Sequence, residues 1–244
     1  MKFKTDGLIL KQTQVGESDR LVTVLTRNMG VIRAFVRGAA KPKNKNSSST
    51  AMLVYSQLSV YKTKDSYIID EAIPEELFFN LRFDIAKLSL AQYFCEAAIV
   101  FAVEGVESEQ ILRLMLNCIH IIEKDLRPLE MVKAIFELRL VTECGYAPDL
   151  KACSVCNNDN AANYYLKINE GCIVCENCDK NGVLLPNGVL SAMRHIVYCD
   201  FSKLFNFELK DGNYKQLSNI TEYYLLNQVG HHFIALDFYK NLPE

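Results

Sequence analysis

Apolar and polar positions alternate along residues 6–72 in five short runs, at about 7–14, 20–27, 31–37, 52–62 and 66–70. Each run is partly β-branched or aromatic and is bounded by Gly, Asn, Asp, Lys or Ser, which predicts five strands. The clearest is Gly30–Arg37. Ile32, Ala34 and Val36 fall on one side and Arg33, Phe35 and Arg37 on the other. A period of two puts a buried apolar row on one face and a cation–aromatic–cation row on the opposite face. The two arginines then stand about 13 Å apart at a strand rise of roughly 3.3 Å per residue. Asn28-Met29-Gly30 predicts a tight hairpin before this strand. In the fourth run Val54, Ser56, Leu58 and Val60 oppose Tyr55, Gln57, Ser59 and Tyr61. Five short strands in about 65 residues fit a small closed barrel, with the OB-fold and an SH3-like barrel as rival topologies. The segment 38–51 carries Lys41, Pro42, Lys43, Lys45 and a Ser-Ser-Ser-Thr run, which predicts a long mobile loop.

From about residue 74 the period changes to three or four. Ile85, Leu88, Ala91, Cys95, Ala98 and Ala102 form one stripe. Leu112, Met115, Ile119 and Ile122 form a second, and Leu129, Val132, Phe136 and Leu140 a third. These read as three antiparallel helices of one bundle, the third starting at Pro128 and ending at Gly145. Helical spacing returns over 183–244, with Pro186 and Gly188 opening the first helix. Tyr223, Tyr224, Phe233, Phe238 and Tyr239 are expected to dock the last one onto the bundle.

Charge changes the picture of the first 70 residues. The chain of 244 residues has a net charge of −2, but residues 1–70 hold 12 Lys and Arg against 5 Asp and Glu, and the remainder is acidic. A basic module on an acidic body suits a polyanion. Guanidinium and ammonium groups neutralise phosphates, and an exposed ring stacks on an unpaired base. Arg20, Arg33, Phe35, Arg37, Lys41, Lys43 and Lys45 are therefore the candidate nucleic-acid contacts, with Tyr55 or Tyr61 as further stacking rings. The competing reading is a solvated strand face with one stray aromatic. The first residues hold no secretory pattern and no 18 apolar residues run unbroken, so a cytoplasmic protein without a membrane span is expected.

Nine cysteines without an export signal point to thiols and metal ligands rather than a disulfide framework. Cys153-Ser-Val-Cys156 and Cys175-Glu-Asn-Cys178 stand eighteen residues apart, around a stretch read as a hairpin over 163–174. Two such knuckles form the four-thiolate site that zinc prefers, closed and hence structural, one ion per chain. Cys172 is evenly spaced with Cys175 and Cys178 and is a rival ligand, but the hairpin register of a zinc ribbon favours Cys175 and Cys178 and leaves Cys172 as a spare. Cys95, Cys118 and Cys144 read as small packing residues, and His195, His231 and His232 lack partners at motif spacing. No Walker-type glycine loop, Gly-x-Gly-x-x-Gly or His-x-Glu beside a knuckle occurs, so no enzyme is indicated.

Thr5-Asp6-Gly7-Leu8-Ile9-Leu10 with Gly16-Glu17-Ser18-Asp19-Arg20, Gly30-Val31-Ile32-Arg33 through Arg37-Gly38-Ala39, and Phe136–Leu140 leading to Gly145-Tyr146-Ala147-Pro148-Asp149-Leu150 form a set of stretches spread over nearly the full length. Together they resemble the RecO family of bacterial recombination mediators. The resemblance implies an α+β multidomain chain. An N-terminal five-stranded OB-fold barrel (1–74) precedes a helical domain (75–150 and 183–244) interrupted by a four-cysteine zinc finger (151–182). It also implies DNA repair and recombination by binding single- and double-stranded DNA at the nucleoid, strand annealing, and no turnover. The partners it implies are RecR and the acidic C-terminal tail of the single-strand-binding protein, with RecA loaded indirectly; Arg139 is a candidate for the tail. Ala40 and Cys172 depart from the family's usual residues, a basic and a small one. The alternative reading is a zinc-ribbon RNA-binding protein of transcription or translation.

Overall fold

The first strand organises the barrel because it is long enough to pair twice. The computed structural model describes residues 2–64, 66–209 and 213–243. Strand β1 (Lys2–Val15) pairs with β4 (Tyr55–Lys62) through its first half and with β2 (Asp19–Thr26) through its second. Gly7 sits at the changeover, opposite both Thr26 and Ser56. A Cβ there would lie 2.7 Å from Val24 Cγ1, so only glycine lets the layers meet. β3 (Gly30–Val36) runs antiparallel to β2, and β5 (Tyr67–Glu76) antiparallel to β4. A short parallel contact of Ala34 and Phe35 with Tyr67 and Ile68 closes the circle in the order β1-β2-β3-β5-β4. This is the OB-fold topology, and the SH3-like rival falls away. Ile9, Val22, Val24, Ile32, Val36, Leu58, Val60 and Ile69 fill the barrel.

Two strands exceed their sequence pattern. β1 begins at Lys2 rather than near residue 7, and β5 runs to Glu76 rather than stopping at 70. Lys4, Glu71, Glu75 and Glu76 face solvent there, so the alternation that marks a strand is lost although the pairing is kept.

The segment between β3 and β4 is not the mobile loop expected of its composition. It folds into successive turns around its own polar side chains. The buried Asn46 amide donates to Asp70 O at 3.0 Å and accepts from Ala72 N at 3.1 Å. Thr50 donates to Asn46 O at 2.6 Å, and Ser56 donates to Ser49 O at 2.7 Å. Residues that a sequence reader takes for solvent are satisfying backbone groups.

The three-helix bundle read over residues 85–140 is also corrected. Contacts sort the chain into two units, residues 1–124 with 233–244, and residues 125–232. In the first, α1 (Ile85–Phe101) is capped by Asp84, whose carboxylate accepts from Ala86 N and Lys87 N. α1 packs against α2 (Glu109–Glu123) and against the C-terminal helix, called α6 below (Ile234–Lys240). Phe233 meets Tyr93 edge to face at 5.4 Å, as expected of a docking residue, whereas Phe238 stays half exposed. The β2–β3 hairpin abuts the α1–α2 connection so closely that a Cβ on Gly30, at φ 63°, would sit 1.9 Å from Val103 O. In the second unit α3 (Leu129–Glu143) packs on α5 (Asn213–Val229) and on α4 (Asn187–Tyr198), with a three-stranded sheet, β6 (Tyr164–Lys167), β7 (Cys172–Cys175) and β8 (Val183–Leu185).

Arg27 ties the barrel to α2. Its guanidinium donates to Asp6 at 2.9 and 2.7 Å and also pairs with Glu109, while the Tyr55 hydroxyl donates to Asp6. The Arg27 hydrogen bonds hold the Asp6 carboxyl below its ordinary range, against the opposing effect of burial. A depressed carboxyl stabilises the fold above its unfolded value, about 3.9, and the benefit fades as pH falls through the folded one. Asp6→Asn should therefore cost about 1–2 kcal/mol at pH 7, the lower part of the range for charged hydrogen bonds because Arg27 is 37% exposed. Urea midpoints of the two proteins should converge as the buffer is taken from neutrality into the acid range, and a gap that stays constant rejects the assignment.

Candidate nucleic-acid interface and metal centre

The alternation of β3 survives folding. Ile32, Ala34 and Val36 are fully buried, Arg33 and Arg37 are exposed, and Phe35 between them is half-buried. Arg33 and Phe35 line a groove of about 750 Å³, together with Leu21, Thr23, Lys62 and Lys64. Arg37 lines a second groove of about 400 Å³ beside Tyr61, Lys62 and Ile68. Lys62 and Thr63 belong to both, so the two grooves adjoin. Lys62 closes β4 and Lys64 lies in the β4–β5 connection; both were missed in the sequence because Lys62 is the last residue of the 52–62 run and Lys64 stands beyond it. The signal was the Lys-x-Lys at the end of the fourth strand, leading into the loop that an OB-fold uses for oligonucleotides.

Lys41 and Lys43 are exposed on the turns after Gly38, and Lys45 stands 3.4 Å from Glu71 at the surface. Arg20 is placed differently. Its guanidinium turns back to donate to Ser47 O at 2.7 Å and to Thr50 Oγ1 at 3.1 Å. Burial lowers its pKa without threatening its charge. Beside it the Asp19 carboxylate accepts from Gly38 N at 2.8 Å. These two side chains set the course of the segment that bears the lysines. Of the stacking candidates, Phe35 and Tyr61 line the grooves, and Lys2 lies over the Tyr61 ring at 4.9 Å. Tyr55 points elsewhere, held by Asp6 and Arg27. Burial first, then the Asp6 hydrogen bond, pushes its hydroxyl up to about 12. Arg139 donates to Ile196 O and Cys199 O, both at 3.1 Å, and to Glu143 at 2.6 Å, so it secures the end of α4.

The second site is built from two tight turns brought together by the β6–β7 hairpin. Asn157 N donates to Cys153 O, and Cys178 N and Asp179 N donate to Cys175 O, closing each knuckle. Four sulfurs, of Cys153, Cys156, Cys175 and Cys178, lie within 4.8 Å of one another. Cys156 Sγ and Cys175 Sγ are 3.6 Å apart. A tetrahedral ion with bonds of about 2.3 Å needs sulfurs roughly 3.8 Å apart, so the set fits. Burial raises the Cys153 thiol, but N–H groups of Cys175, Cys156 and Val155 outweigh it and hold the thiol at about 6. Hydrogen bonds with Cys156 and Cys175 push Cys178 up to about 12. Four thiols this close ionise together only around a cation. Cys172 is not among them; three residues from Cys175 on a strand, it faces the other way, with Ser154 Oγ at 3.4 Å. Buried Cys95 and Cys118 are raised by desolvation and are inert packing groups, as their spacing suggested.

Known proteins match both parts of the chain. The family model described as Recombination protein O N terminal covers residues 1–78, and the one described as Recombination protein O C terminal covers 82–236. The DNA repair protein RecO of Acetivibrio thermocellus is 30% identical over 244 residues, which is 98% of this chain and 97% of the relative. Those of Alkaliphilus metalliredigens and Caldicellulosiruptor bescii are 24% and 27% identical, over 93% and 98% of this chain and the same shares of their own. The two family models cover residues 1–78 and 82–236, and the Acetivibrio relative matches this barrel, helical body and four-cysteine segment along almost its whole length, so the chain belongs to the RecO family of DNA repair proteins.

Proposed function

We propose that this chain is a recombination mediator that grips unpaired DNA on the outer face of its barrel. The observation that carries the reading is the outward row Arg33–Phe35–Arg37 beside exposed Lys41, Lys43 and Lys45. The cations neutralise backbone phosphates, Phe35 and Tyr61 stack on bases, and Arg20 acts by holding the lysine-bearing turns in place. Such contact tolerates any sequence, which suits a protein that works wherever a gap or break occurs. Neutralising two strands at once lowers the repulsion between them and so promotes annealing; the same cations serve duplex phosphates. The four-cysteine cluster holds zinc, which staples the finger and supplies no open position. The partners follow the family: RecR, and the single-strand-binding protein through its acidic tail, for loading RecA.

The test is a salt titration of oligonucleotide binding. With about five phosphates contacted, log affinity should fall against log salt with a slope near −3.5. Replacing Arg33, Arg37, Lys41 and Lys43 by glutamine should cut the slope by about 2.8 and weaken low-salt binding by about tenfold or more. Undiminished low-salt affinity in a folded variant removes the barrel face from the mechanism.

A further inference from the structure

Asparagine followed by glycine occurs twice in the chain, at Asn181-Gly182 and Asn187-Gly188. With no Cβ on the second residue, its main-chain nitrogen has a clear approach to the asparagine side-chain amide. The backbone between the two groups decides whether that approach is made, and the two pairs differ there. Asn187 and Gly188 open α4, whose helical torsions hold the Gly188 nitrogen away from the Asn187 amide carbon. Asn181 and Gly182 lie between the second knuckle and β8, outside any helix, and both are exposed. An opening of about 410 Å³ lined by Lys167, Asn181, Gly182 and Tyr223 gives water access to the pair. Lys167 sets the pair apart further. Its ammonium is 2.5 Å from Asp179 Oδ2 and donates to Asn181 O, the carbonyl of the peptide group whose nitrogen must attack. Asn181 N in turn donates to Asp179 Oδ1 at 2.8 Å, which fixes the turn. A cation on that carbonyl draws electrons from the peptide group and makes its N–H easier to remove.

From this we propose that Asn181 is a modification site, a point of spontaneous deamidation at the root of β8 that Lys167 promotes. The Gly182 nitrogen gives its proton to hydroxide and bonds to Asn181 Cγ. The Cγ–Nδ2 bond then breaks, and the amide nitrogen leaves as ammonia with a proton from water. A second water opens the five-membered imide. Cleavage between Cγ and the Gly182 nitrogen gives aspartate; cleavage between the main-chain carbonyl carbon and that nitrogen gives isoaspartate, whose main chain is one methylene longer. Nothing is oxidised or reduced, and the net exchange is water in for ammonia out. The longer chain has no slack to occupy. A Cβ on Gly182 would already lie 2.8 Å from Leu166 O, and Leu166 pairs with Val183 at the next position. β8 has three residues and ends the sheet, paired with β6 on one side. An extra methylene at its root shifts its register, and so short a strand does not hold in the wrong one. The new carboxylate also competes with Asp179 for Lys167. All four clustered cysteines precede Asn181, so the modification frees β8 and leaves the ligand set intact.

Incubating the full chain with its metal in mildly alkaline buffer, and mapping its peptides by mass spectrometry, follows both pairs in one molecule. Asn181 should gain the mass of an acid roughly tenfold faster than Asn187, which must first fray out of its helix. Lys167→Met should slow Asn181 by about threefold or more relative to Asn187. Because both pairs age in the same chain, their ratio reads the lysine's effect even in a less stable variant. Hydrogen exchange at Val183–Leu185 should rise in the aged parent and stay unchanged in aged Asn181→Gln, with equal zinc content in the two. Equal rates at the two asparagines overturn the site, and a ratio indifferent to Lys167→Met overturns the part given to the lysine. Unchanged exchange at β8 in fully converted protein overturns the effect on the strand.

Discussion

Cys175→Ser should release the metal and unfold the finger, the largest single loss expected anywhere in the chain. Between Cys153 and Leu185 the only regular structure is three strands of four, four and three residues. Their buried apolar side chains are few: Tyr164, Leu166, Ile168, Ile173, Val174 and Leu185. A sheet this small does not stand on its own core. A four-thiolate zinc contributes roughly 10–16 kcal/mol of apparent binding energy to local folding, more than such a core supplies. Cys175 is also the cysteine of the cluster whose backbone N–H reaches Cys153 Sγ at 3.3 Å, so it serves both knuckles. Elemental analysis should give one zinc per chain in the parent and none in Cys175→Ser. Limited proteolysis should then cut within residues 153–182. Cys172→Ser is the control, and it should keep its zinc and its resistance. Equal loss in the two variants would mean that the ligand set has been misassigned.

The parts of this architecture that were legible are those in which a residue's role follows from its spacing. Alternation in Gly30–Val36 requires only that one face be buried, and two knuckles eighteen residues apart require only that the chain turn back on itself. The parts that were not legible depend on a partner far away in sequence. The stripes of α1 and α3 announce a buried face, yet not what covers it, and α3 finds α5 rather than the first two helices. Lys133 and Glu137 sit on that buried face and have no place in an apolar stripe. A guanidinium reads the same whether it faces solvent or, as at Arg20, a carbonyl 27 residues onward. The second half of β5 and the three residues of β8 are strands by pairing alone. Serines and asparagines after Gly38 look like solvent-loving loop until Asn46 is seen bridging to β5. Lys62 and Lys64 gain meaning only once the parallel β3–β5 contact brings their hairpin beside Phe35.

Lys133→Met should destabilise the second unit by about 3–5 kcal/mol, the usual result of removing one partner from a buried ion pair. The ammonium lies between α3 and α5, 1% exposed, and is 2.8 Å from both Glu137 Oε1 and Glu222 Oε2 and 3.2 Å from Ser218 Oγ. Thr221 Oγ1 donates to the other Glu137 oxygen at 2.7 Å, so the cluster is satisfied throughout. Methionine fills much the same volume, which separates the loss of charge from the opening of a cavity. It leaves two carboxylates facing each other without a cation. Burial already raises the Glu137 carboxyl, with Lys133 opposing the shift and Glu222 adding to it. Without the lysine the folded value rises further. A carboxyl raised in the folded state favours folding below its unfolded value, and that advantage is lost as pH rises through the folded one. The deficit of Lys133→Met should therefore be small near pH 5 and grow toward pH 8, the same direction as the Asp6→Asn gap but over a higher pH range. Adding Glu137→Gln should recover part of the loss, because one of the opposed charges is gone. Urea unfolding across that pH range, with hydrogen exchange read on α3 and α5, decides the matter. A loss below about 1 kcal/mol, flat in pH, would show that the cluster is not held together by charge.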